Sequence, residues 1–248
     1  MVNIYRILEY LKKHKIPTVI TNHAEFMYTG GCTHVVDCTK WLTGCGDCEK
    51  ICKEHPISYF FDRTAKEWEL MQQAYSGFEK LYICNVSDWV RNHARKSPFF
   101  RGYPVETVFN GLNTEIFSFK YDTKLAQQYK PNNQKLVIHV TPAFFSPIKG
   151  GNHVMELAKR MPEVKFLIVG STKNDTDIPD NIIFVGRVDE QDVLAKFYSI
   201  ADVCLLTSLR ETFSMVGISF FATLCNYITS GTSNRVLFMT YHSALLSP

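Results

Sequence analysis

The sequence has no apolar run near the roughly 18–20 residues that a membrane-crossing helix needs. It has no internal repeat and no low-complexity tract. Charge is nearly balanced, with 27 Lys plus Arg against 24 Asp plus Glu, a net of +3. So small an excess gives no basis for a nucleic-acid partner or a strongly basic membrane-binding face. The phosphate-binding pattern G-x4-G-K-[ST] is absent, so there is no Walker loop. Residues 1–15 are amphipathic with charge inside the apolar pattern, which reads as a helix and not as a signal peptide. Apolar residues at 46% and charged residues at 21% are those of a globular chain, which excludes disorder, collagen and a pure disulfide scaffold.

What is present is an alternation of two periods. Ile4, Ile7, Leu8 and Leu11 recur at helical spacing, and residues 17–21 form a short β-rich run. A cysteine-bearing loop over 22–55 separates these from a helix over 63–78 whose buried stripe is Trp68, Met71 and Tyr75. Strands are expected over 81–87 and 104–109, with Ser87 capping the helix between them. The polar stretch 120–134 reads as a linker between an amino-terminal domain over 1–119 and a second domain over 135–216. In the second domain apolar strands over 135–141, 164–170, 181–186 and 202–208 alternate with helices over 151–161 and 189–201. Strands apolar on both faces, separated by amphipathic helices, predict a doubly wound parallel sheet that binds ligands at its carboxyl edge. Residues 217–248 break the pattern, with Arg235 their one charged side chain and no helical period that fits well. They are expected to be an atypical tail foreign to this fold, with a buried hairpin as the alternative.

Four groups of residues carry chemistry. Cys32, Cys38, Cys45 and Cys48 have the spacing C-x5-C-x6-C-x2-C, which suits a closed structural zinc site; Cys52 is a spare and His34 an alternative ligand. Free thiols are the competing reading, and a redox role is the weaker third, because no thioredoxin-like strand leads into Cys45 and Cys48. His23 follows a strand and is placed to bond hydroxyls or move protons. Lys149, Gly150 and Gly151 follow the strand over 135–141, where a lysine and a helix amino terminus favour an anion. Glu211, Thr212, Phe213 and Ser214 follow another strand, and a carboxylate there can accept hydrogen bonds from two vicinal hydroxyls.

Taken in order, TNHAEFMYTGGC, FDRT (61–64), VSDWV (86–90), VFNGLNTEIF (108–117), KGG, FLIVG, VGR and LTSLRETFSMV resemble family 4 glycosyltransferases of the GT-B fold, the bacterial type that assembles surface polysaccharides. The resemblance covers residues 1 to about 216. It implies two Rossmann-like domains, both incomplete here, and transfer of a sugar from a UDP- or GDP-type donor with retained configuration and no obligatory metal. It implies a saccharide or lipid-linked acceptor, and a cytoplasmic protein with access to the inner face of the membrane. By resemblance Lys149 contacts the diphosphate, Glu211 is the first carboxylate of an E-x7-E motif, and His23 lies beside the reacting sugars. Three departures stand out: Phe144 replaces the arginine five residues before the lysine, Ser219 replaces the second Glu, and a G-G-x-P-E loop is missing. The opening strand and glycine loop of the acceptor-side domain are missing too. A frameshifted or partial gene would give that pattern, so the expectation is a weak or inactive transferase. The alternative is a non-catalytic metal-binding or interaction remnant.

Overall fold

The structure is a computed structural model of the 248-residue chain that describes residues 3–35, 37–49, 51, 61–173, 177–228 and 237–240. The chain divides into two compact units, Met1–Asn110 and Gly111–Pro248.

The first unit holds helices α1 (Ile4–Lys13), α2 (Thr64–Tyr75) and α3 (Asp88–Ala94) and strands β1 (Thr18–Asn22), β2 (Leu81–Asn85) and β3 (Val105–Thr107). The strands pair in parallel in the order β1-β2-β3. The helix starts follow their caps: Asn3 accepts from the Arg6 N–H, and Ser87 accepts from the Val90 N–H as expected. Trp68, Met71 and Tyr75 form the buried stripe of α2. Tyr75 meets Phe100 edge to face at 5.0 Å, and Trp68 lies 5.1 Å from Phe99.

The second unit is a five-stranded parallel sheet in the order β6-β5-β4-β7-β8. Its strands are β4 (Leu136–Val140), β5 (Lys165–Val169), β6 (Ile182–Gly186), β7 (Val203–Leu206) and β8 (Leu237–Thr240). Its helices are α4 (Thr123–Tyr129), α5 (Gly151–Arg160), α6 (Gln191–Ile200) and α7 (Met215–Ile228). Successive side chains of a strand point to opposite faces. Leu136, Ile138, Leu167 and Val169 therefore join one core with residues of α4, α6 and α7, while Val137, Phe166 and Ile168 join another with Val154 and Ala158 of α5. A sheet covered on both faces explains why these strands are apolar throughout. Three carbonyls, of Ala158, Met161 and Val164, accept from the Asn181 amide and tie the end of α5 to β6.

Two expectations change. The stretch 120–134, expected as a linker, carries α4, capped by the Asp122 carboxylate at the N–H groups of Lys124 and Leu125. Ala126 is buried in the second unit's core and Tyr129 meets Phe197 edge to face, so this segment is part of that unit, and the division falls after Asn110. Of the tail, residues 217–228 and 237–240 also continue the fold. After β7 comes α7, and β8 pairs in parallel with β7, which is a βαβ step and not a hairpin. Val216, Phe220 and Leu224 recur every four residues and face the core, with Phe220 edge to face against Tyr198 at 5.6 Å. α7 packs this apolar stripe against α6 and β7.

Candidate functional site

Numbered from β4, the strand order of the second unit is 3-2-1-4-5, so it reverses between β4 and β7. Two neighbouring strands there send their connections to opposite sides, which opens a crevice at their carboxyl ends. A cavity of about 330 Å³ sits there, lined by His139, Val140 and Thr141 from β4 and its exit, and by Leu205, Leu206 and Ser208 from β7 and its exit. Of the residues expected at a donor site, Lys149, Glu211, Thr212, Phe213 and Ser214 all line it.

Each is held by local structure. Lys149 ends a short 3-10 turn, Pro147–Lys149, that is stitched to the exit of β7. Thr207 Oγ1 donates to the Lys149 carbonyl at 2.8 Å, and the Leu209 N–H donates to the Ile148 carbonyl at 2.8 Å. Lys149 Nζ then lies 2.9 Å from Glu211 Oε1, with both side chains about 30% exposed. Ser214 caps α7: its hydroxyl accepts from the Gly217 N–H and its carbonyl from the Ile218 N–H. The amino terminus of a 14-residue helix thus begins at the cavity, and its free N–H groups and dipole favour negative charge there.

Gly150 does not line the cavity. Its φ is +69°, and a Cβ on it would stand 2.2 Å from the Thr207 carbonyl oxygen. A Cβ on Gly151 would stand 2.0 Å from the Phe144 carbonyl oxygen. The glycine pair therefore lets three backbone segments close up behind Lys149. Phe144, where the family pattern has arginine, is fully buried against Phe145 and Phe184. Ser219 is 5% exposed on α7 and is not among the residues lining the cavity.

His139 was not expected from the sequence, although a histidine inside Leu136–Val140, otherwise aliphatic, was the signal available. Its Nδ1 lies 3.0 Å from the Leu205 carbonyl oxygen. Burial first, and then the nearby Lys149 charge, hold its pKa below the usual histidine value, against the opposing Leu205 bond.

In the first unit, His23 is exposed just beyond the carboxyl end of β1. Two residues on, Glu25 is fully buried, a pairing the sequence reading missed. Its carboxylate accepts from the Val35 N–H at 2.7 Å and the Tyr28 hydroxyl at 3.1 Å, and lies 2.8 Å from His93 Nδ1. The Trp89 ring stands 4.2 Å from that imidazole.

Cys32, Cys38, Cys45 and Cys48 line one cavity of about 420 Å³. Burial pushes the Cys45 thiol up to about 11, opposed by the Gly30 N–H that donates to its sulfur at 3.3 Å. A thiol so rarely ionised is a poor nucleophile. Among the described residues no group of three or more His, Cys, Asp or Glu is arranged to hold a metal ion. The four sulfurs expected to converge on zinc therefore share a cavity without forming a cage, and Cys52 lies outside the described residues. Among the described residues no helix is long and apolar enough to cross a membrane.

Residues 149–238, from the lysine of the cavity through β8, match the family model of glycosyl transferases group 1. That match runs past residue 216, where the sequence pattern suggested that the resemblance ends, and so agrees with α7 and β8 as parts of the fold. The N-acetyl-alpha-D-glucosaminyl L-malate synthase of Bacillus anthracis is 31% identical over 127 residues, which are 45% of this chain and 32% of that protein. Among solved structures, sucrose-phosphate synthase from Thermosynechococcus elongatus superposes with a TM-score of 0.50 at 18% identity, over 65% of this chain and 44% of the other. The Anabaena protein HepE in complex with UDP gives 0.50 at 18% identity, over 66% of this chain and 47% of the other. The α/β, GT-B-like class expected from the sequence is the class of these glycosyl transferases. The chain spans about a third of the curated relative and about half of these solved chains.

Proposed function

We propose that the chain takes part in moving a sugar from a nucleoside diphosphate donor, of the UDP or GDP kind, to a saccharide or lipid-linked acceptor, with retained anomeric configuration. The observation that carries this reading is the meeting of Lys149 and Glu211 in one cavity at the strand-order reversal, inside the segment that matches the family model of glycosyl transferases group 1. Departure of the diphosphate builds negative charge, and fixed positive groups aimed at that charge lower the barrier. Lys149 and the amino terminus of α7 supply them. Glu211, an acceptor only, holds donor-sugar hydroxyls once the diphosphate takes Lys149 from it. His23 is the hydroxyl-bonding group we assign to the acceptor side. A place in surface polysaccharide assembly, in the cytoplasm at the inner face of the membrane, fits this donor and acceptor chemistry.

Turnover is expected to be slow. Position 219 offers a buried hydroxyl instead of a carboxylate, and position 144 a buried phenyl ring instead of a cation. The test is release of nucleoside diphosphate from a panel of UDP- and GDP-sugars by the chain and by Glu211→Ala. Slow release that Glu211→Ala abolishes supports the reading. Release that is indifferent to Glu211, or absent in the presence of every donor, counts against it.

For the cysteine loop we propose a structural zinc, formed when Cys32, Cys38, Cys45 and Cys48 turn into the cavity they share. What favours it is the loop backbone. Gly44, Gly46 and Asp47 all have positive φ, Lys40 Nζ donates to the Gly46 and Asp47 carbonyls, and Asp62 accepts from the Cys48 N–H. The turn between Cys45 and Cys48 is thus pinned by Lys40 and Asp62.

A further inference from the structure

We propose that His139 selects the donor by accepting a hydrogen bond from one of its sugar hydroxyls; the inference rests on the donor-site reading above. His139 is 3% exposed and lines the cavity that holds Lys149 and Glu211. Its Nδ1 faces the Leu205 carbonyl oxygen. A carbonyl only accepts, so Nδ1 carries the proton, and in a neutral imidazole Nε2 is then a bare lone pair. That Nε2 is buried and has no hydrogen-bond partner. Buried polar atoms are almost always paired, so an unpaired Nε2 on a residue that lines this cavity calls for a partner from outside the chain.

The tautomer fixes what the ligand must bring. Glu211 only accepts, so it cannot satisfy a lone pair, and Lys149, which can donate, is directed at Glu211 Oε1 at 2.9 Å and leaves Nε2 without a partner. An ionised diphosphate has no proton to give to Nε2. Sugar hydroxyls donate and accept at once, and one of them can give its proton to Nε2 while taking a bond from Lys149. They occur in the ribose and in the transferred sugar, and these two sources are separable.

The experiment titrates pyrophosphate, UDP, GDP, UDP-glucose, GDP-glucose and 2′,3′-dideoxy-UDP into the chain, His139→Asn and His139→Leu. Asn keeps an N–H for the Leu205 carbonyl but does not reach Nε2, so it serves if the Leu variant fails to fold. Loss of one neutral hydrogen bond predicts roughly tenfold weaker binding of the hydroxyl-bearing ligand and unchanged binding of pyrophosphate. Weakening confined to the glucose esters assigns the bond to the transferred sugar. Weakening shared by UDP and absent with dideoxy-UDP assigns it to the ribose. With ¹⁵N-labelled histidine, the Nε2 resonance of His139 should also move when that ligand binds. Weakening that persists with dideoxy-UDP points to a base N–H and overturns the hydroxyl assignment, as does unchanged affinity in both variants. Failure of every nucleotide to bind the unaltered chain overturns the donor site itself, and this inference with it.

Discussion

Gly150→Ala tests how the lysine of the cavity is held. Gly150 has φ +69°, a conformation that costs an ordinary residue roughly 1–2 kcal/mol. The added Cβ would also stand 2.2 Å from the Thr207 carbonyl oxygen and 3.0 Å from the Thr207 carbonyl carbon. Both are backbone atoms, so the clash cannot be relieved by a rotamer change. The turn must move off the exit of β7, and two bonds are strained by that movement, Thr207 Oγ1 to Lys149 O and Leu209 N to Ile148 O. At about 0.5–1.5 kcal/mol net for each bond, the whole cost is roughly 2–5 kcal/mol. For a chain of this size about 1 kcal/mol corresponds to 2–4 °C, so Tm should fall by roughly 5–20 °C. Gly111→Ala is the control, because a Cβ there meets open space and its Tm should hardly change. The assay is thermal unfolding of both variants followed by far-ultraviolet circular dichroism. Equal Tm values for the two would refute the argument that close backbone approach fixes the turn.

Three further outcomes follow from the same geometry. Burial alone would raise the Asp202 carboxyl, but the bond from Lys130, the Leu136 N–H and the charges of Lys130 and Lys135 together hold it below the usual value. A depressed carboxyl gives stability that is present above the unfolded pKa of about 4 and is lost as pH falls through the lower folded value. Asp202→Asn should therefore cost roughly 1–3 kcal/mol at pH 7 and flatten acid unfolding below about pH 4, as urea titrations at several pH values would show. Ser219→Glu should lower Tm and leave nucleoside diphosphate release no faster, because it places a carboxylate in a buried position that does not line the cavity; faster release would place position 219 in the site after all. If zinc joins the four thiols, elemental analysis of protein prepared without chelator should find about one ion per chain, with Cys32, Cys38, Cys45 and Cys48 resisting alkylation until it is removed; freely reacting thiols without zinc would remove that proposal.

Much of the second unit was legible because its strands repeat one pattern. Buried parallel strands such as Leu136–Val140 and Lys165–Val169 are apolar on both faces, and few other elements of that length look alike. The rim residues were legible for the same reason, since Lys149 and Glu211 both follow such strands. That they pair with each other, and that the order reverses between their strands, depends on pairing between distant segments. The α4 segment was misread because Pro131 and the asparagines at 132 and 133 follow it closely, and its two buried anchors, Ala126 and Tyr129, are a weak stripe in seven residues. In α7 the surface charge that marks an amphipathic helix is absent, so only the Val216, Phe220 and Leu224 spacing remained to betray it. The Glu25 and His93 contact joins residues 68 positions apart, and nothing local announces it.

In the proposed function the cavity between β4 and β7 receives the diphosphate and sugar of a nucleotide donor. Calorimetric titration of UDP-glucose and GDP-glucose into the chain, Lys149→Ala, Glu211→Ala and the double variant tests it most directly. Bonds to charged groups contribute about 1.5–3 kcal/mol, so each single variant should weaken the bound donor roughly ten- to a hundredfold. Because Lys149 and Glu211 pair at 2.9 Å in the free chain, their effects should not simply add in the double variant. Donor binding that both substitutions leave unchanged would contradict the claim.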